Sequence, residues 1–398
     1  MKKGLLLGAI LTLIICVSAQ TSKVKFSKGF YYLAKDSSIS TKFQMRFQSL
    51  YEAKMNNGDG TEAYMDNFSD KMLVRRARFK FKGHVHSPKI QYKTEFGLTN
   101  RDIGAKGNDG DVHFNGAANI ILDAVLKYNF YKNWSVWVGQ TKLPGNRERV
   151  ISSANLQFVD RSLLNSYFNI DRDKGIHLRH HFNLGNHLFR HIWVASMGEG
   201  RDVTSSDNGG HSYTVRGEWL PFGAFTKKGD YFASDLKREQ TPKLSLAANY
   251  NLNQDARRER GQLKSFVDED LQGDITNIQA DMMFKYQGFS VMGEIAQRSA
   301  DTSNPQYYDA NPYYTGSSLN IQFGYLLKNN WEPAFRYTTV NPDAVNMDDD
   351  ATFSQITFGI SRYVVGHNLK VQSDISLMTN ELNAEQQIMF RLQAEMQF

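Results

Sequence analysis

Ile388-Met389-Phe390-Arg391-Leu392-Gln393-Ala394-Glu395-Met396-Gln397-Phe398 ends the chain. Side chains alternate across an extended strand, so Ile388, Phe390, Leu392, Ala394, Met396 and Phe398 share one face. Met389, Arg391, Gln393, Glu395 and Gln397 share the other. A strand of about ten residues, apolar toward lipid and polar toward a lumen, is the unit of a transmembrane β-barrel. The fold turns on whether the rest of the chain repeats it.

The amino terminus sets the compartment. Met1-Lys2-Lys3 is a positive n-region, Leu5 to Val17 an apolar run, and Val17-Ser18-Ala19 a small-residue cleavage site. This reads as a secretory leader removed near Ala19, because the apolar run is too short to span a bilayer. Cys16, the single cysteine, lies within it. The mature chain is therefore expected to contain no disulfide, thiolate metal site or Cys nucleophile. No later stretch is long and apolar enough for a helical span, and mean hydropathy is −0.50. Yet 13% of residues are aromatic, as expected of a wet-interior barrel with aromatic girdles. Formal charge is +6, or +4 without Lys2 and Lys3, too mild to argue for nucleic acid.

Period-two segments recur along the chain. Phe43, Met45 and Phe47 alternate with Lys42, Gln44 and Arg46, and Ala77, Phe79 and Phe81 with Arg76, Arg78, Lys80 and Lys82. Further segments run from Ile90, Ile120, Trp134, Ile176, Phe189, Tyr213, Leu244, Ile278, Phe289, Leu319, Trp331, Ile356, Leu369 and Ile388, about sixteen in all. Their connections alternate long and short, as outer-membrane barrels require. Ser87-Pro88, Gln287-Gly288 and Gly366-His367 are tight, whereas Asn100–Gly116 and Pro144–Lys174 are long. Pro221 to Thr241 breaks the rhythm and leaves room for a hidden strand. A β-sandwich would not need the long–short rhythm, and a propeller would show a blade repeat. The expectation is an all-β, antiparallel up-and-down transmembrane barrel of about 16 strands. Residues 1–19 form the leader, 20–38 a periplasmic lead-in, and 39–398 the barrel.

In such a barrel the chemistry lies in charges facing the aqueous interior. If Ala77, Phe79 and Phe81 face lipid, Arg76, Arg78, Lys80 and Lys82 form a basic ladder in the lumen, with Lys42 and Arg46 beside it. That pattern suits an anion path of successive cationic sites. Glu95, Asp123, Glu294, Glu332, Asp374 and Glu395 are expected to balance it in part. Arg75 is expected on the outer face, near lipid phosphate. The segment after the fifth strand is long enough to need a function. By count it is the third external loop, which in sixteen-stranded porins folds inward and narrows the channel. Lys142, Arg147, Arg149, Arg161, Arg172 and Lys174 are its candidate filter cations.

The chain resembles the phosphate-selective porin O and P family, in a form like those of Bacteroidota. The resemblance rests on Gly29-Phe30, Lys35-Asp36-Ser37, the Arg-Arg-Ala-Arg run at 75–78, Val138 to Pro144, Asp173-Lys174-Gly175 and Phe398. It implies a sixteen-stranded barrel, usually a homotrimer, with an arginine-lined path and constriction lysines. The arginines map to Arg76 and Arg78, and a filter lysine to Lys142 or Lys174. The terminal Phe398 resembles the tag read by outer-membrane assembly machinery.

The expected function is passive diffusion of small anions, phosphate among them, across a lipid and lipopolysaccharide outer membrane. A non-selective porin, a structural or adhesive barrel without transport, and an outer-membrane hydrolase are the alternatives. No nucleotide, zinc-protease or serine-esterase motif occurs, so no catalytic residue and no cofactor is expected. The histidines at 177, 180, 181, 187 and 191 read as wall, and Asp343 with Asp348–Asp350 as a solvated loop.

Overall fold

The computed structural model describes residues 29–57, 67–99, 120–201, 203, 210–302, 312–343, 352–381 and 385–398. The leader, most of the second external loop and most of the acidic loop fall outside the described residues.

Seventeen strands form one antiparallel sheet. They are β1 (Phe30–Leu33), β2 (Ile39–Asn56), β3 (Asn67–Val85), β4 (Ser87–Gly97), β5 (Ile121–Tyr131) and β6 (Trp134–Lys142). Then come β7 (Arg172–Leu184), β8 (His187–Ser196), β9 (Ser212–Leu220), β10 (Lys243–Ala256), β11 (Gly273–Tyr286) and β12 (Phe289–Thr302). The last are β13 (Gly316–Tyr325), β14 (Trp331–Pro342), β15 (Phe353–Tyr363), β16 (Leu369–Asn380) and β17 (Gln386–Gln397). Strands β2 to β17 close as a ring of sixteen, because β17 pairs with β2 through Met396↔Phe47 and Ile388↔Met55. Closure leaves no edge whose backbone groups would face lipid unpaired.

The extra strand lies within the lead-in. β1 pairs with the start of β2, Phe30 opposite Phe43, and so continues the row that β17 ends. Phe398 and Met45 exchange backbone hydrogen bonds of 3.0 and 2.9 Å just above it.

Alternation holds around the ring. On β17, Phe390, Leu392, Ala394 and Met396 are exposed while Arg391, Gln393 and Glu395 are buried. Outward aromatics pack across strands, as in Phe323–Phe335–Phe358 with centroids 5.2 and 5.1 Å apart. At the short-turn end, Trp134, His180, His191 and Trp193 form an aromatic belt, with His180 stacked on Trp134 at 4.2 Å. The Gln287-Gly288 turn has φ of 47° and 91°, the left-handed pair a two-residue hairpin needs.

Among the described residues, two segments insert into the lumen from opposite ends. The loop 143–171 folds inward with helices α1 (Arg147–Val150) and α2 (Leu163–Phe168), the latter capped by Ser162 Oγ accepting from Asn165 N at 3.2 Å. From the opposite end, the 221–242 connection rises into the barrel. It carries one turn of 3-10 helix at Gly229–Tyr231 and no strand, so the room that its length left for a hidden strand is taken by an irregular insert. Ile151 and Leu156 of the first segment meet Phe225 and Ala233 of the second, against Leu188, Leu220, Met283 and Met292 of the wall. Apolar residues face the lumen where these segments cover them, and burying each large one contributes about 1.5–3 kcal/mol.

Candidate functional site

The register of β3 fixes the ladder. Arg78 lies opposite Arg46, Lys80 opposite Gln44 and Lys82 opposite Lys42, all turned inward from Phe79 and Phe81. β4 and β5 bring carboxylates beside them. Glu95 lies 3.3 Å from Arg78, 3.2 Å from Lys80 and 3.3 Å from Lys93. Asp123 lies 2.6 Å from Lys93 and 3.1 Å from Arg172. Two carboxylates thus serve four cations, Arg78, Lys80, Lys93 and Arg172, and the wall keeps a positive excess.

The expected outward placement of Arg75 is corrected by a β-bulge. Gln48 pairs with Arg76 but Ser49 with Val74, so the register of β2 on β3 steps past Arg75. A bulge re-aims its side chains. Arg75 and Arg76 are consequently both buried, and Arg75 makes an ion pair with Asp160 of the inward loop. Arg76 donates to Gln48 Oε1 and lies 3.9 Å from Asp160. A second bulge, on β5 at Leu122, lies beside Asp123.

The inward loop divides its cations between two jobs. Arg147 is fully buried away from the open space, at 3.0 Å from Asp281, 3.3 Å from Glu218 and 2.8 Å from Ser245. It anchors the loop to the far wall, so its expected place in the filter is corrected. Arg149 pairs with Asp171 and faces the open side. Lys142 Nζ donates to the carbonyls of Arg149 and Ile151 at 2.8 and 3.2 Å. Arg161 braces the loop through the carbonyls of Glu148 and Ile151, both at 2.8 Å. Burial, then the neighbouring Arg172 and Arg161, holds the Arg149 guanidinium well below the ordinary arginine value. Burial also depresses Arg161 to about 10, against the opposing pull of Glu148. These cations repel one another.

A cavity of about 690 Å³ lies between this loop and the wall, lined mainly by β3 to β9. Its lining carries thirteen lysines and arginines against four carboxylates. Arg76, Arg78, Lys80, Lys142, Arg149, Arg161 and Arg172 are among them. Four other expected residues stand off it. Arg46 is held by Glu395 at 2.9 Å and Ser153 at 2.7 Å, next to a much smaller void nearer the short-turn end. Lys42 and Lys82 sit side by side still closer to that end. Lys174 lies on the strand face opposite His177, which stacks on Trp137 inside the lumen.

Lys93, Lys127, Arg179, Arg201, Arg216 and Arg391 also line the cavity. The alternation rule that found the ladder would have found Lys93, Lys127 and Arg179 on neighbouring strands. Lys127 and Arg179 clasp the Trp137 ring at 3.6 and 3.7 Å from its centroid. His180 and His191 touch at 2.7 Å but face outward, and no group of metal-ligating side chains occurs among the described residues.

Solved structures share this architecture. The outer-membrane channel DcaP of Acinetobacter baumannii aligns with a TM-score of 0.55 at 12% identity, covering 93% of this chain and 99% of that one. OmpT of Vibrio cholerae aligns at 0.50 and 9% identity, covering 92% and 100%. No curated protein matches by sequence. The family model of the phosphate-selective porin O and P matches residues 43–398, which includes every barrel strand in whole or part. The chain is therefore a porin of the outer membrane and belongs to the phosphate-selective porin O and P family.

Proposed function

We propose that this porin passes small anions, phosphate among them, by passive diffusion along the basic cavity. The excess of thirteen cations over four carboxylates on its lining carries the reading. Two unit charges 4 Å apart interact by about 4 kcal/mol at the effective dielectric of a protein surface. The neighbouring carboxylates on β4 and β5 temper that attraction, which lets an anion leave as well as enter. No bond is made or broken. In this reading Arg78, Lys80, Arg149 and Arg172 are the sites an anion meets. The family's usual assembly supports a homotrimer in lipid and lipopolysaccharide, released from its leader near Ala19, with Phe398 as the assembly signal.

A structural barrel without transport is the second reading, favoured by the two segments that pack together inside the lumen. Arg76→Glu with Arg78→Glu separates them. The double variant should fold, as scored by heat-dependent gel mobility, and should reduce or invert anion selectivity in planar bilayers. Conductance with unchanged selectivity would remove the ladder from the path, and no conductance in the unmodified protein would favour the structural barrel.

A further inference from the structure

Between β9 and β10 the chain does something a plain short turn does not. Thr226, Lys227, Lys228 and Lys237 are exposed at the short-turn rim, while Asp230, Ala233, Ser234 and Asp235 are buried inside the barrel. Lys285 Nζ donates to the carbonyls of Gly229, Phe232 and Ser234 at 2.9, 2.8 and 2.8 Å, which holds the raised part against β11. Asp230 pairs with Arg190, which also reaches Glu218 at 3.2 Å. The tip meets the inward loop directly. Ala233 N donates to the Asn155 carbonyl at 2.9 Å, and Asn155 Nδ2 to the Tyr231 carbonyl at 3.1 Å. Tyr231 then lines the basic cavity beside Arg179 and Glu218.

We propose that the 221–242 turn is a second restricting element of the pore, entering from the periplasmic side, with Tyr231 setting the lower edge of the passage. The inference rests on the channel reading. A sixteen-stranded barrel is wide enough for an open aqueous lumen. Ions crossing a lumen that wide would pass up to a screening length, about 8 Å at physiological salt, from the cations of β3–β8. The turn and the inward loop close the opposite side together, so solute is kept against the basic wall. The turn supports selectivity by placement, and its contact with solute is through Tyr231.

Cysteine chemistry tests this, because the chain beyond residue 19 contains no cysteine. Tyr231→Cys and Lys227→Cys are each reconstituted in planar bilayers and treated with a sulfonatoethyl methanethiosulfonate, with labelling followed by mass spectrometry. Labelled Tyr231→Cys should lose unitary current and shift its reversal potential away from anions, and labelled Lys227→Cys should lose neither. A Tyr231→Cys that resists labelling, or that is labelled without change in current, overturns the proposal. Replacing 224–240 by a short Gly-Ser linker should raise unitary current and weaken anion preference, and an unchanged current in that variant also overturns it. If the unmodified protein passes no current, the channel reading has failed first.

Discussion

Arg147 and Arg149 stand two residues apart on one helical turn and do different things. Arg147 is enclosed by Asp281, Glu218 and Ser245, and Arg149 opens onto the cavity beside Arg161 and Arg172. Removing one partner of a buried ion pair costs about 3–5 kcal/mol, because the other charge stays buried alone. Arg147→Ala should therefore lower the unfolding free energy, read from urea titration in detergent, by an amount in that range. Arg149→Ala should lower stability less, because its partner Asp171 keeps Arg172 at 3.9 Å, and should reduce anion preference in a reversal-potential measurement. Equal loss of stability in both variants would contradict the division. This difference was not legible in the sequence, where both arginines belong to one alternating-charge run. Arg75 escapes the alternation for a related reason: alternation assumes an unbroken ladder, and a bulge leaves no mark that a single sequence displays.

Elements are far more legible in the sequence than side-chain roles. All sixteen barrel strands fall on the period-two segments, because a wall with lipid on one face and water on the other forces that period. The 221–242 connection was visible only as an anomaly of length. Its sequence, with Phe225, Asp230 and Asp235 among lysines, carries no periodic signature, since it packs as an irregular plug. Packing energetics give it a test. Phe225 is 3% exposed in the cluster with Ile151, Leu156 and Ala233. Phe225→Ala should cost about 3–5 kcal/mol, read as a lower urea midpoint in micelles. A change within the noise of surface substitutions would show that the turn does not pack in the lumen.

Over the whole molecule, the terminal strand closes the ring and ends at Phe398, bonded to Met45 above the short β1 row. Deleting Phe398 should lower the yield of protein in the outer membrane of cells while leaving refolding into detergent intact. Equal yield in cells would remove the residue's role as an assembly signal. The asymmetry of the filled lumen is the larger consequence: the plugs pack together on β8, β9, β11 and β12, and the basic cavity is lined mainly by β3 to β9. The central claim, that this arrangement passes anions, has one direct test. The unmodified protein is reconstituted in a planar bilayer under a potassium chloride gradient and its reversal potential is read. Displacement toward the chloride equilibrium potential is the predicted result, and displacement toward that of potassium contradicts the account.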